Sequence, residues 1–84
     1  MANIIAVDKD QYKGAEVAAL LNAEIERMKA AHSREDLDEM SDLNIVGFLV
    51  HIAFQKTDDY FLQGLISRYC HDLYANQIVA FLRG

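Results

Sequence analysis

The chain has no proline, no tryptophan, a single cysteine and four scattered glycines, Gly14, Gly47, Gly64 and Gly84. Small strand-rich domains punctuate themselves with Gly, Pro and Asn turns every 8–12 residues or so, typically about ten. Here only Asn44 and Asn76 are placed to serve, so the shortage weighs against an all-β fold and favours an all-α one. Cys70 cannot close an internal disulfide, which fits a reducing compartment. A structural zinc takes about four ligands, and the cysteine and histidine inventory stops at His32, His51, Cys70 and His71. Cys70 and His71 are neighbours that diverge by about 100° on a helix. His32 and Glu35 stand at i,i+3, without the repeated Glu-x-x-His and further carboxylates of a di-metal bundle. No metal and no other cofactor is expected.

Basic residues are also scarce. Lys and Arg number 8 against 13 Asp and Glu, a net charge of −5. A general nucleic-acid binder draws its affinity from Lys and Arg on phosphates, so direct nucleic-acid binding is not expected. Long apolar runs are missing too. The richest, residues 45–54, is about half the ~20 residues of a membrane span and contains His51. The first eight residues lack the basic start and apolar centre of a signal peptide. A soluble cytoplasmic protein without membrane contact is expected.

What is present is a foldable core. Hydrophobic residues make up 52% of the chain, too many for a disordered tail. No linker or composition shift divides it, so residues 1–84 read as one domain with residues 1–9 as an N-terminal arm. A chain this short buries only about 60–65% of its unfolded surface. With no disulfide or metal to help, a second copy is the remaining support, and a homodimer is expected.

Three longer helices and a short terminal one follow from patterning, a small all-α bundle. Asp8 and Gln11 stand in capping-box spacing before a run of strong helix formers, which predicts a helix over residues 10–31. Its apolar stripe is Val17, Leu21, Ile25 (or Glu24) and Met28. Ser33 and Asp36 look like a cap and first-turn acid for one or two turns thereafter. Residues 45–54 suit a buried strand by composition, but Asn44, Gly47, His51 and Gln55 draw one polar or small stripe at helical spacing. A helix over residues 41–55, apolar nearly all round and central in the fold, is therefore predicted. Thr57, Asp58 and Asp59 cap the next helix. From Phe61 onward, apolar pairs recur every four residues, which drifts by about 40° per step against helix geometry. Either the chain breaks near Asn76 or one long helix wraps several neighbours, and a break is the expectation. Leu65 and Ile66 mark the stripe that a dimer would bury. Phe61, Tyr69 and Phe81 are expected in the core, with Tyr60 and Tyr74 nearer the edge.

The most unusual feature is acidic. Glu35, Asp36, Asp38, Glu39 and Asp42 place five carboxylates in eight residues, and no Lys or Arg occurs between Arg34 and Lys56. Such a face steers a basic partner by long-range attraction, with Leu37 and Met40 as apolar anchors. These seven residues form the expected partner-binding site. Ser41 invites comparison with acyl carrier proteins, but Met40-Ser41-Asp42-Leu43 reverses the carriers' Asp-Ser-Leu order. Ser67 and His71 share a helix face beside Asp72, yet no Gly-rich turn or oxyanion device accompanies them. An enzyme is not expected. The expected function is a small, acidic, non-catalytic regulatory or inhibitory protein that binds another protein. Two alternatives stand beside it. In size and charge the chain is similar to phage and mobile-element nucleic-acid mimics that inhibit restriction, CRISPR or replication enzymes. The apolar helix over 41–55 also suits a structural subunit or a secretion-type chaperone.

Overall fold

The computed structural model describes Ile4, Ile5 and residues 11–84. Among the described residues there are five α-helices, one π-helical turn and no strand. The all-α expectation holds. The radius of gyration is 12.1 Å, near the ~12 Å expected of a folded domain of this length.

Helix α1 runs Gly14–Ala31, starting later than the pattern suggested. Lys13 adopts φ 57°, which diverts the backbone just before the helix, and the Gly14 amide closes a turn on the Gln11 carbonyl at 2.9 Å. The proposed cap at Asp8 lies outside the described residues. The α1 stripe Val17, Leu21, Ile25 and Met28 is buried as read, and Glu24 is buried with it, ion-paired to Arg27. Asn22, also buried, hydrogen-bonds the backbone of Ile5 and ties that residue to the bundle.

Short helix α2, Arg34–Glu39, begins where Ser33 accepts the Asp36 amide at 3.1 Å. Helix α3, Asp42–Phe54, begins where Ser41 accepts the Asn44 amide, also at 3.1 Å. That capping role explains the serine at position 41 in local terms. Helix α3 packs on α1, on the helices that follow it and on the π turn, the central position its composition implied. Ile45, Val46, Leu49 and Ala53 form its buried face.

Asp59 caps α4, Tyr60–Arg68, by accepting the amides of Phe61 and Leu62. The fourfold spacing beyond it is resolved by a π-helical turn, Tyr69–Leu73, closed by the Tyr74 amide on the Tyr69 carbonyl at 2.8 Å. A π turn carries about one extra residue, so it takes back roughly 100° of the accumulated drift. Tyr69 and Cys70 thereby stay buried in line with Leu65 and Ile66. The chain then bends at Tyr74, two residues before Asn76, and α5 runs Ala75–Arg83.

Two expectations about surface change. Leu65 and Ile66 are buried within the single chain, so the stripe assigned to a dimer is already covered. Phe61, expected in the core, is 46% exposed and meets Tyr12 edge-on at 5.1 Å. Its place at the start of α4 points it over the N-terminal end of α1 instead of between helices. Among the described residues no helix is long and apolar enough to cross a membrane.

Candidate functional site

The outward face of α3 leaves two large apolar side chains, Leu43 and Phe48, exposed. At about 100° per residue, Leu43 and Phe48 lie on either flank of the stripe formed by Asn44, Gly47 and His51. Leu43 is 72% exposed and Phe48 40% exposed, while the opposite face of the same helix is fully packed. Met40, Leu43, Asn44, Gly47, Phe48 and His71 line a shallow open groove of about 550 Å³. A smaller depression of about 200 Å³, lined by Asp42, Leu43, Val46, His71 and Ala75, adjoins it through the shared Leu43 and His71. A bare glycine forms part of the floor: a Cβ added at Gly47 would meet nothing within 4 Å.

Each wall is positioned by a specific local device. The guanidinium of Arg83, in the last turn of α5, donates to the Asp42 carboxylate and to the Met40 carbonyl. It thus clamps the link between α2 and α3 and holds Met40 at the groove edge. Phe48 is propped by an edge-to-face contact with His32 at 5.7 Å. His32 is itself fixed because Nδ1 donates to the Met28 carbonyl at 3.0 Å at the end of α1. His71 reaches the groove from the π turn.

The seven residues expected to bind a partner divide into groups. Glu35, Asp36, Asp38 and Glu39 are exposed on α2, and none of the four makes an ion pair among the described residues. Asp42 is exposed but paired with Arg83. Met40 is half-buried and lines the groove. Leu37 is a correction. It is 1% exposed and anchors α2 to the core, because the one apolar residue of a six-residue helix is what holds that helix down. It is not available as a surface anchor. Of the residues lining the groove, Leu43, Gly47, Phe48 and His71 were not among those expected to bind a partner. The available signal was a helix too apolar for one small core to cover on every side.

Cys70 is fully buried, and burial pushes its thiol up to about 12, far from thiolate chemistry. Ser67 is half-buried on α4, His71 faces the groove, and no hydrogen bond joins them among the described residues. No group of three or more His, Cys, Asp or Glu side chains is gathered for a metal ion among the described residues. A second exposed aromatic set, Tyr12, Tyr60 and Phe61, lies beside the Lys13–Asp59 ion pair of 2.8 Å.

Compared with protein-family models, with curated proteins and with solved structures, the chain finds no match in any of the three.

Proposed function

We propose that this chain is a small, non-catalytic regulatory or inhibitory protein of the cytoplasm that acts by binding another protein. The observation that carries the reading is the pair Leu43 and Phe48, exposed across an open groove on a chain of only 84 residues. Apolar side chains rimmed by polar ones are how protein interfaces begin, with a few buried anchors supplying most of the affinity. The α2 carboxylates come directly before Met40 in the chain, and Met40 lines that groove. They add a charge field that speeds encounter with a basic surface and discourages acidic ones.

A homodimer is the competing use of the face. Isologous pairing over the groove would bring together two chains that each carry a net charge of −5, and that repulsion works against it. A heterologous partner with a basic surface is the better fit.

The test is affinity capture from the source cells with three baits: wild type, Leu43→Glu, and a chain with Glu35, Asp36, Asp38 and Glu39 all replaced by Lys. The proposal expects one principal protein on the wild type, absent from Leu43→Glu and much reduced on the charge-reversed chain. Equal capture by all three folded baits would remove the face from consideration.

A further inference from the structure

We infer that the occupant of the groove is a single basic amphipathic helix of another protein, crossing α3 over Gly47. The inference rests on the protein-binding reading above and names the form of the partner. Among the described residues there is no strand, hence no sheet edge on which an extended peptide could add itself. The groove is shallow and open, so it does not enclose a small molecule, which usually loses most of its surface to a pocket. Helix-in-groove docking suits what is left.

The geometry favours a helix in particular. Packed helices sit about 8–10 Å apart, the closer value where side chains at the crossing are small. Gly47 offers that close point, with open space where a Cβ would stand. Leu43 and Phe48 flank it and Met40 supplies an unbranched, adaptable third contact. An incoming helix would lay apolar residues at i, i+3, i+4 and i+7 between these walls.

Charge selects the outer face of that helix. No Lys or Arg lines either depression, and the one carboxylate that does, Asp42, is already neutralised by Arg83. The four exposed α2 carboxylates without ion pairs precede the groove-lining Met40 within the same short stretch of chain. Lys or Arg on the flank of the docked helix would meet them, while a second copy of this chain would bring more acid.

The experiment is an NMR titration of the whole ¹⁵N-labelled chain with three synthetic peptides of about five helical turns. One carries Leu at i, i+3, i+4 and i+7 with Lys elsewhere. The second has the same composition scrambled so that Leu falls all round. The third keeps the Leu face and replaces Lys by Glu. The first should shift the amides of Leu43, Asn44, Gly47, Phe48 and His71, and bind at least ~10-fold more tightly than the other two. Gly47→Leu should keep the fold, since the site is open, and lose that binding by a similar factor.

Equal binding of the scrambled peptide, shifts centred elsewhere, or unchanged affinity of Gly47→Leu would overturn the inference. So would amide shifts at Leu43 and Phe48 that grow with protein concentration alone, the mark of a second copy on the face. A protein captured through Leu43 with no localised response to the first peptide would leave the protein-binding reading standing and remove only the helix.

Discussion

Asn22 pairs with Ile5 at both of its backbone groups. The Ile5 amide donates to Asn22 Oδ1 at 2.9 Å, and Asn22 Nδ2 donates to the Ile5 carbonyl at 3.2 Å. Both residues are buried, Ile5 to 1% exposure. A side-chain amide on α1 thus satisfies both backbone groups of Ile5, and it seats that isoleucine in the core.

Breaking that pairing should therefore be expensive. Asn22→Leu leaves a buried N–H and C=O without partners, and the expected cost is about 2–3 kcal/mol. Urea unfolding monitored by circular dichroism measures it, and a loss below about 0.5 kcal/mol would mean that water satisfies Ile5 without Asn22.

Two leucines only six residues apart should behave oppositely. Leu37 sits in the core and Leu43 on the surface. Leu37→Ala should cost about 2–4 kcal/mol through lost burial and a cavity, whereas Leu43→Ala should stay within about 0.5 kcal/mol of wild type. Similar losses at both positions would mean that Leu43 is packed, and the proposed face would go with it.

The thiol of Cys70 makes a reactivity prediction. Burial raises it from its ordinary 9.0 to about 12, so the folded state favours the neutral form. That preference contributes stability in full below pH 9 and is lost as pH rises toward 12, because the unfolded chain ionises first. Native protein at neutral pH should be almost inert to a disulfide reagent and react rapidly in denaturant. Cys70→Ser buries a hydroxyl in its place and should cost about 1–3 kcal/mol. Fast labelling of the folded chain is the contrary result.

Lys13 and Asp59 hold one another across α1 and α4. Their hydrogen bond lowers the Asp59 carboxyl below its ordinary 3.8 and raises the Lys13 ammonium above its ordinary 10.5. The Asp59 share of stability is present above pH 3.8 and is lost as pH falls through the lowered value. The Lys13 share is present below pH 10.5 and is lost as pH rises through the raised one. Lys13→Met should thus be less stable than wild type by a constant, small margin near neutrality. The margin should shrink at both extremes of pH and in high salt, as for an exposed pair. A margin that ignores salt would point to lost packing instead.

Amide exchange should mark the junction after the π turn. The amides of Ala75, Asn76 and Gln77 open α5, which has no side-chain cap, while Tyr74 and Ile78 are bonded to carbonyls of Tyr69 and Tyr74. Fast exchange confined to residues 75–77 between protected neighbours is expected. Uniform protection would show a continuous helix in solution.

Much of the fold was legible in the sequence because helical periodicity is a local signal. The α1 stripe, the caps Ser33 and Asp59, and the stripe from Asn44 to Gln55 along α3 all stand where spacing put them. The π turn was visible only as an anomaly, a spacing of four that no straight α-helix can keep on one side. Its solution depends on which neighbours Tyr69 and Cys70 meet. The site was legible in part for the same reason. Clustered charge is plain in a sequence, so α2 stood out, but whether Leu37 or Leu43 faces water is decided by tertiary packing. The acids gave no hint of Arg83, which crosses from the far end of the chain to fix Met40 and Asp42.

On this proposal, the Leu43–Phe48 groove is where another protein docks. Replacing Phe48 by p-benzoylphenylalanine, a photo-crosslinking aromatic of similar shape, and irradiating the source cells tests it most directly. The account predicts one discrete adduct at position 48, lost when Leu43→Glu is added and absent when the same photo-crosslinker replaces exposed Lys56 on the loop after α3. Adducts of equal yield at positions 48 and 56, or an adduct at 48 that survives Leu43→Glu, would contradict it.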